Sequence, residues 1–318
     1  MKIVAVGDPH ARARDLDDVA ALMAYAEKLA IDHDATLFVS GDLHHEHGVI
    51  SAVVQHFWHT FFRKLKVPCI ALAGNHDFEP GTDATPLLAY SKFITTVLYE
   101  PHVERNILFC PYVDDPKRLV EWSQKYSGCG TLICHQTFDG AQFESGFYAQ
   151  DAISPDLISQ KKIVSGHIHK MAEFGKVFYI GSPRWLTLSD ANENKAIWLL
   201  DFDVGGNLIG TTAFSTNHIC KRILHYIDTP ENPVNIAPDK DEVRIDIKGP
   251  ESWINERKAL FQGCKVRTFK TDSNSKMKVK ESLGVGVAFK QWVDGFIPGR
   301  GTSKEILSNL VKDRLDGI

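Results

Sequence analysis

The chain has 318 residues, of which 43% are hydrophobic and 24% are charged, and its formal net charge is −4. This composition is ordinary for a globular protein with a large core, and no apolar run approaches the roughly 20 residues of a membrane helix, so no membrane-spanning helix is predicted. The six cysteines form no CxxC pair, which predicts free thiols in a reducing cytoplasm. Residues 1–217 are acidic and residues 218–318 are basic, which indicates two regions with different roles.

Short apolar runs and helical periodicity alternate over the first 200 residues. The runs have the length of β-strands and lie at 2–6, 36–40, 69–73, 107–112, 131–135, 162–166, 176–181 and 196–202. Apolar residues three and four positions apart predict helices at 16–30, 49–65 and 85–100. This alternation predicts a layered α/β domain. The last two strands have no helix between them, which predicts an antiparallel part of the sheet.

The pattern changes after residue 200. Residues 202–214 read as a hairpin with a GGN turn, and residues 217–242, with three prolines, read as a linker. A small β-α-β unit follows at 241–270. A helix with one apolar face is predicted at 303–318.

Polar side chains directly follow five of the predicted strands. They are Asp8, His10, Asp42, Asn75, His135, His167 and His169. Each alone is more simply a turn or cap residue. In an open α/β sheet, however, the loops after the strand carboxyl ends share one edge, so we expect these side chains to lie together. Such a group is costly to bury without a metal, and oxygen and imidazole ligands suit Mn²⁺, Fe²⁺ or Zn²⁺.

The number of predicted ligands favours two metal ions. We predict that the first ion is held by Asp8, His10, Asp42 and His169. We predict that the second is held by Asn75, His135 and His167, with Asp42 bridging the two. Two ions about 3.5–4 Å apart suit phosphoester hydrolysis, because together they stabilise both the attacking and the leaving oxygen.

Five sequence blocks carry these residues, and they occur in a fixed order. They are DPH (8–10), GDLHH (41–45), GNHD (74–77), the lone His135 and GHIH (166–169). The set resembles the pattern of the calcineurin-like metallophosphoesterase superfamily, which is D-x-H, G-D-x-x-(D/H), G-N-H-(D/E), a lone His and G-H-x-H. The resemblance implies an α/β fold with a four-layer αββα core, and it agrees with the two ligand groups above.

Within this superfamily the chain looks most like the SbcD-type double-strand-break repair nucleases. His45 stands where phosphatases usually have Asp, and GSPRWLTLSD (181–190) resembles the segment that follows the last ligand in these nucleases. The resemblance implies a nuclease domain at 1–217, a small α+β capping domain at 218–280 and a partner-docking segment at 281–318 that contains the C-terminal helix.

For a nuclease of this type, the resemblance implies 3′–5′ exonuclease and single-strand endonuclease activity on DNA ends. The cofactor would be two divalent ions, with Mn²⁺ preferred and Fe²⁺, Mg²⁺ or Zn²⁺ as alternatives. His76 would act as general acid, oriented by Asp77. His45 would contact the scissile phosphate or a ligand, although it is equally well read as a surface loop residue beside His44 and His47, which we predict to be loop residues.

The predicted partners are DNA, an SMC-like ATPase of the SbcC type docked on the C-terminal helix, and a second copy of the chain. The aromatic helix at 49–65 is either core or, with the 85–100 helix, a dimer bundle. Arg184 binds phosphate or is a surface residue. The basic run at 265–290 is a solvated loop or contacts the DNA backbone. Two other functions stay open, namely a phosphatase acting on a small molecule or phosphoprotein, and a non-catalytic metal-stabilised scaffold.

Overall fold

The computed structural model describes residues 1–47, 51–93, 96–143, 146–150, 152–236 and 241–271. The β-strands among these residues are β1 Lys2–Val6, β2 Thr36–Val39, β3 Cys69–Leu72, β4 Thr96–Leu98, β5 His102–Glu104, β6 Ile107–Cys110, β7 Thr131–Cys134, β8 Lys162–Ser165, β9 Ala172–Phe174, β10 Val177–Tyr179, β11 Ala196–Phe202, β12 Leu208–Ser215, β13 Ile223–Asp228, β14 Glu242–Gly249 and β15 Lys265–Lys270. The α-helices are α1 Leu16–Asp32, α2 Ala52–Lys64, α3 Pro116–Lys125 and α4 Glu251–Leu260.

Two six-stranded sheets form the larger part of the fold. The first has the order β12-β11-β1-β2-β3-β4 and the second the order β5-β6-β7-β8-β10-β9. Strands β1 to β4 run parallel, whereas β11 pairs antiparallel with β1 and forms the predicted hairpin with β12. The predicted strand at 176–181 is β10, and it lies in the other sheet, parallel to β8. Strand β10 also pairs antiparallel with β9. The expected antiparallel pairing therefore holds for 196–202, but the strand at 176–181 does not lie in the same sheet.

The two sheets pack face to face and carry helices on their outer faces. Side chains alternate along a strand, so Ile3 faces the inner core between the sheets while Val4 faces the outer core with α1 and α2. On the second sheet, Phe109 faces the inner core and Leu108 the outer core with α3. These layers are the predicted four-layer αββα arrangement, and the predicted fold class is confirmed.

Helix α2 is anchored in the core by its aromatic residues. Trp58 and Phe62 are buried, and the Trp58 indole Nε1 donates a hydrogen bond to the Leu43 carbonyl oxygen at 3.2 Å. Phe57 and Phe61 are only partly buried. The core interpretation of this helix is therefore correct for the first pair of aromatic residues. Among the described residues, no helix has the length and apolar character that crossing a membrane requires.

Two sequence predictions about the elements are wrong. The helix predicted at 85–100 is a short 3-10 helix at Pro86–Tyr90 followed by β4. Thr85 caps this short helix, and the β-branched Thr96 and Val97 favour extended backbone. The spacing of the apolar residues therefore wrongly predicted one continuous helix. The linker predicted at 217–242 contains β13, which pairs parallel with β14.

A third sheet follows the core, in the order β13-β14-β15, with α4 packed against it. This is the predicted β-α-β unit with β13 added at one edge. Its own core includes Val243, Ile245, Ile247, Ile254 and Phe261. The domain boundaries at 217 and 280 stay predictions, and the docking segment 281–318 with its helix lies outside the described residues.

Asn192 joins the third sheet to the core. Its side chain donates to the His225 carbonyl oxygen at 2.7 Å and accepts from the His225 N–H at 3.1 Å. Its own N–H donates to the Ile223 carbonyl oxygen at 3.1 Å. Asn192 has φ 64°, in the left-handed region that asparagine tolerates better than most residues. Strand β13 is thus hydrogen-bonded to a loop of the core.

Candidate metal centre

The predicted metal ligands lie together where the two sheets meet. The loops after β1, β2 and β3 come from the first sheet, and the loops after β7 and β8 come from the second. The argument from strand ends assumed one open sheet, whereas the family resemblance implied the two sheets of an αββα core. The strand ends converge all the same, because the two sheets pack with these ends on the same side.

The first predicted ligand group is close-packed around two imidazoles. The ligand atoms of Asp8, His10 and His169 lie within 4.8 Å of one another. Nε2 of His10 lies 3.0 Å from Nε2 of His169 and 3.4 Å from Oδ2 of Asp42. Oδ2 of Asp8 lies 3.9 Å from Nε2 of His169. These nitrogens and oxygens therefore face a common point.

The second predicted group shares an atom with the first. The ligand atoms of Asp42, His135 and His167 also lie within 4.8 Å of one another. Oδ1 of Asn75 lies 2.8 Å from Nδ1 of His167 and 3.1 Å from Nε2 of His135. Oδ2 of Asp42, which faces His10, also lies 3.3 Å from Nε2 of His135. One carboxylate oxygen is therefore placed between the two groups.

The backbone at several of these positions is strained. His10 has φ 45°, Asp42 has φ 51° and His167 has φ 76°, all in the left-handed region that residues with a side chain rarely adopt. Such conformations persist only where the surrounding structure enforces them, and they are concentrated at functional sites. Gly41, at φ 113°, turns the chain directly before Asp42.

A shell of hydrogen bonds orients the ligand side chains. Nδ1 of His135 donates to the Ser40 carbonyl oxygen at 2.7 Å, so Nε2 is the nitrogen that faces Asp42 and is available to a metal ion. The Asp8 carboxylate accepts from the Ser40 hydroxyl at 3.1 Å and from the His167 N–H at 2.9 Å. His135 and Asp8 are therefore each held in place by residues of a neighbouring ligand loop.

Burial and mutual charge shift the pKa values of the group. Burial raises the pKa of Asp8 to about 6 and lowers the pKa of His167 to about 3. Burial acts against the charged form of His135 too, but the carboxylates of Asp42 and Asp8 raise its pKa to about 9. Burial would raise the pKa of Asp42, yet His135 and His10 hold it far below its usual range. The carboxylates and imidazoles of this buried group therefore shift each other's pKa values, and the protonation of each depends on that of its neighbours.

His76 lies at the edge of this group. Its ring meets that of His10 edge to face at 4.7 Å and stacks on His47 at 3.8 Å. Nδ1 of His76 donates to the His45 carbonyl oxygen at 2.5 Å, so Nε2 is the nitrogen left to exchange a proton. Burial lowers the pKa of His76, partly opposed by the nearby Asp42.

The Asp77 carboxylate is hydrogen-bonded to His44 rather than to His76, which it was predicted to orient. Asp77 is fully buried and accepts from Nδ1 of His44 at 3.0 Å, and also from the N–H groups of Leu43, His44 and Gly74 at 3.2 Å each. His44 is not a plain loop residue, because it is buried between Asp77 and the Tyr90 hydroxyl. The carbonyl of His45 orients His76 instead.

His45 and Arg184 have different surroundings from each other. The His45 ring lies 5.4 Å from that of His10, and its Nδ1 is buried with no hydrogen-bond partner among the described residues. Burial, followed by the charge of Arg12, lowers its pKa. The sequence predicts Arg184 to be a surface residue or a phosphate ligand. It is instead buried and donates to the carbonyl oxygens of Pro9 and His10.

A cleft of about 570 Å³ opens beside Asn75. The Tyr112 ring forms part of its wall and lies 5.8 Å from the ring of His167. Sequence reasoning missed Tyr112, since an aromatic residue after a strand carries no distinguishing pattern. The charged residues lining the cleft are Glu79, Asp83, Asp114, Asp115 and Arg118. The cleft is therefore mainly acidic away from the ligand group.

Residues 1–171 match the family model of calcineurin-like phosphoesterases. The chain belongs to this family. It is also 25% identical to Exonuclease subunit 1 of Enterobacteria phage T4 over 252 residues, and the match covers 71% of each chain. Calcineurin-like phosphoesterases use divalent metal ions and hydrolyse phosphoesters, so the protein is a metal-dependent hydrolase.

The solved structures that are similar to part of this chain include two that are named for an activity. A novel archaeal phosphodiesterase is 13% identical, with a TM-score of 0.36, and the match covers 68% of this chain and 99% of that one. The 5′-nucleotidase precursor from Thermus thermophilus is 14% identical, with a TM-score of 0.39, and the match covers 68% of this chain and 54% of that one.

The donor set of this phosphoesterase fits divalent ions. The Nε2 atoms of His10 and His169 lie 3.0 Å apart, and carboxylate oxygens of Asp42 and Asp8 lie 3.4–3.9 Å from them. A positive ion between these atoms would interact favourably with all of them. The set has oxygen and nitrogen ligands, which suit hard or borderline ions. A bound ion would also replace the protons for which the buried groups compete.

We therefore expect chelation to destabilise the protein. A ligand that binds only the folded state at 100 times its dissociation constant adds about 2.7 kcal/mol per site to the free energy of unfolding. Thermal unfolding with EDTA should give a midpoint several degrees below that with added Mn²⁺, and the midpoint should rise with the logarithm of metal concentration. The same series with KCl at equal ionic strength is the control. Coincident transitions in EDTA and Mn²⁺ would contradict the metal centre.

Proposed function

We propose that the protein is a two-metal phosphodiesterase that acts on DNA ends as the nuclease subunit of a DNA repair or recombination complex. The observation that carries this proposal is the position of Oδ2 of Asp42, which lies 3.4 Å from Nε2 of His10 in one ligand group and 3.3 Å from Nε2 of His135 in the other. A carboxylate oxygen shared by two ligand groups is the arrangement that a two-metal centre needs. The similarity to a phage exonuclease subunit supports DNA as the substrate.

The predicted ligands divide into two sets in this proposal. Asp8, His10, Asp42 and His169 hold one ion, and Asn75, His135, His167 and Asp42 hold the other. When bound, the ions, with Mn²⁺ preferred, supply Lewis-acid stabilisation of the phosphate charge and a nucleophile at neutral pH. The protein supplies the strained loops that hold these side chains in place before substrate binds.

His76 is the proposed general acid. Nδ1 is committed to the His45 carbonyl oxygen, so the imidazolium carries its transferable proton on Nε2. That proton would go to the leaving 3′ oxygen, which stays on the shortened DNA strand when the P–O3′ bond breaks. His45, whose ring stacks at 6.0 Å from that of His76, is proposed to contact the scissile phosphate.

Replacing His76 with alanine should lower the rate of DNA cleavage by about 10²–10⁴-fold, the contribution typical of a general acid. A p-nitrophenyl phosphodiester should be cleaved at nearly the normal rate, because its leaving group needs no proton. Metal content, measured in parallel, should not change. His33→Ala, which alters a histidine at the C-terminal end of α1, is the control. Equal losses on both substrates would contradict the acid role.

The decisive experiment for the function compares two substrates. End-labelled duplex DNA should be degraded in the presence of Mn²⁺, and degradation should increase when an SbcC-type ATPase is added. Rapid hydrolysis of p-nitrophenyl phosphate with intact DNA would contradict the nuclease proposal. Metal binding with no cleavage of either substrate would support the scaffold alternative.

The acidic cleft favours the phosphatase alternative. Glu79, Asp83 and Asp114 would repel a phosphate backbone lying along that wall. A small phosphomonoester would place fewer charges there. For this reason the two-substrate comparison includes a monoester.

A second copy of the chain is the further proposed partner. A groove of about 440 Å³ between α1 and α2 is lined mainly by apolar atoms, with Phe57 and Phe61 along it. The predicted 85–100 helix does not contribute, since it is not a helix. A homodimer would cover this groove, and sedimentation velocity measures the oligomeric state. The proposed ATPase-docking segment, 281–318, lies outside the described residues.

A further inference from the structure

Two buried cations lie behind the first ligand group. Lys195 is 1% exposed, and its Nζ donates to the His169 carbonyl oxygen at 3.0 Å. The same ammonium contacts Oδ1 of Asp190 at 2.7 Å and Oε2 of Glu193 at 3.1 Å. All three ammonium protons therefore have an acceptor, and one acceptor is the main chain of a predicted metal ligand.

Arg184 makes the equivalent contact to the other histidine. Nη2 donates to the His10 carbonyl oxygen at 2.8 Å, and Nε donates to the Pro9 carbonyl oxygen at 2.7 Å. Nη2 also lies 3.1 Å from Oδ2 of Asp15, which balances the charge. The guanidinium fork thus spans two successive peptides of the loop after β1, including the strained His10 peptide.

The two cations act on the same pair of ligands. His10 and His169 are the residues whose Nε2 atoms lie 3.0 Å apart. Both cations also belong to one stretch, residues 184–195, which we name the clamp segment. Asp190 fixes the fold of the clamp segment, because its carboxylate accepts from the Leu186 N–H at 3.1 Å and the Thr187 N–H at 2.9 Å.

Burying a cation is costly, and a well-packed apolar residue often serves stability as well or better. A contribution to stability alone therefore explains poorly why two buried cations contact the carbonyl oxygens of two residues of the same ligand group, His10 and His169. Hydrogen bonds that orient metal ligands, in contrast, commonly change metal affinity by 10–100-fold when removed. The hydrogen bonds to the carbonyl oxygens fix the backbone of each loop in the position where the imidazoles of His10 and His169 face each other.

We propose that Arg184 and Lys195 are positioning residues that set the affinity of the first metal site through the main chain of His10 and His169. The proposal rests on the two-metal centre of the proposed function, and it adds residues that contact no ion and no substrate. It predicts that the second site, with Asn75 and His135, is unaffected.

The test measures Mn²⁺ binding by titration calorimetry on three variants of the full chain. Arg184→Lys keeps the charge beside Asp15 but cannot span two carbonyl oxygens. The double variant Asp190→Asn with Lys195→Met removes both members of the fully buried pair, and Glu193, the other carboxylate partner of Lys195, is partly exposed to solvent. Arg257→Lys is the matched control, because Arg257 contacts Asp228 and the Val234 carbonyl oxygen in the third sheet, away from the ligands.

In each clamp variant, one of two binding events should weaken about 10–100-fold while the other keeps its affinity. DNA cleavage by the clamp variants should be lost at low Mn²⁺ and restored at high Mn²⁺. Arg257→Lys should lower the unfolding midpoint with both binding events unchanged.

Folded clamp variants that bind two Mn²⁺ ions with normal affinity would overturn the proposal, as would equal weakening of both events. Thermal unfolding in EDTA identifies the folded variants, and the two clamp variants alter separate cations, so either one suffices. The binding readout needs no substrate. A failure to cleave DNA would therefore count against the proposed function and leave the positioning result intact.

Discussion

Asp42→Asn is expected to abolish phosphodiester cleavage and to release both metal ions. Oδ2 of Asp42 is the atom placed between the two ligand groups, 3.4 Å from Nε2 of His10 and 3.3 Å from Nε2 of His135. An amide in its place is neutral and presents only one oxygen. Metal ions contribute several kcal/mol of transition-state stabilisation, and each 1.36 kcal/mol is a factor of ten, so a rate loss on the order of 10³-fold or more is expected.

The measurements are metal content after dialysis and the single-turnover rate on end-labelled DNA. Asp203→Asn is a suitable control, since Asp203 bonds Asn207 in the β11–β12 turn, at the opposite end of β1 from the metal loops. That control should keep two ions and a normal rate. An Asp42→Asn protein that retains both ions at normal affinity would show that the shared carboxylate has no bridging role.

Gly74→Ala is expected to have the next largest effect. A Cβ at this position would lie 2.3 Å from Oδ1 and 2.5 Å from the backbone N of Asp42, and neither can move without displacing the bridging residue. Overpacking of this kind costs about 1–3 kcal/mol of unfolding free energy. Since Asp42 must shift, metal affinity and cleavage should fall together with stability.

Chemical denaturation and metal titration measure the two effects of Gly74→Ala. Gly128→Ala is the matched control, because a Cβ at Gly128 meets no atom within 4 Å. The control should change the free energy of unfolding by less than about 0.5 kcal/mol. If Gly74→Ala were as stable and as active as the unaltered protein, the loops after β2 and β3 would be less tightly packed than the structure describes.

Much of the fold could be predicted from the sequence because the core strands are short apolar runs that end in turn residues. The 85–100 stretch misled because its apolar spacing fits a helix, although Thr96 and Val97 pair with β3 in the folded chain. Strand β13 was missed because its sequence, ILHYID, shows no regular alternation of apolar and polar residues and is followed by three prolines. Periodicity also carries no information on which strands share a sheet, so two sheets could not be distinguished from one.

The clustering of the predicted metal ligands could be foreseen because each residue stands directly after a strand end. The supporting contacts could not, because they join residues distant in sequence. Asp77 and His44 are 33 positions apart, and Arg184 and His10 are 174 apart. In GDLHH, nothing local distinguishes the histidine that points inward, His44, from its neighbour His45.

Asn192 has a mechanical consequence. It lies within the clamp segment, three positions before Lys195, and it carries hydrogen bonds to both polar backbone groups of His225 in β13. A rotation of the third sheet would therefore exert force on the stretch whose cations hold His10 and His169. The orientation of the third sheet and the affinity of the first metal site would then be coupled. Mn²⁺ binding would restrict the movement of the sheet relative to the core, and a rotation of the sheet would weaken Mn²⁺ binding.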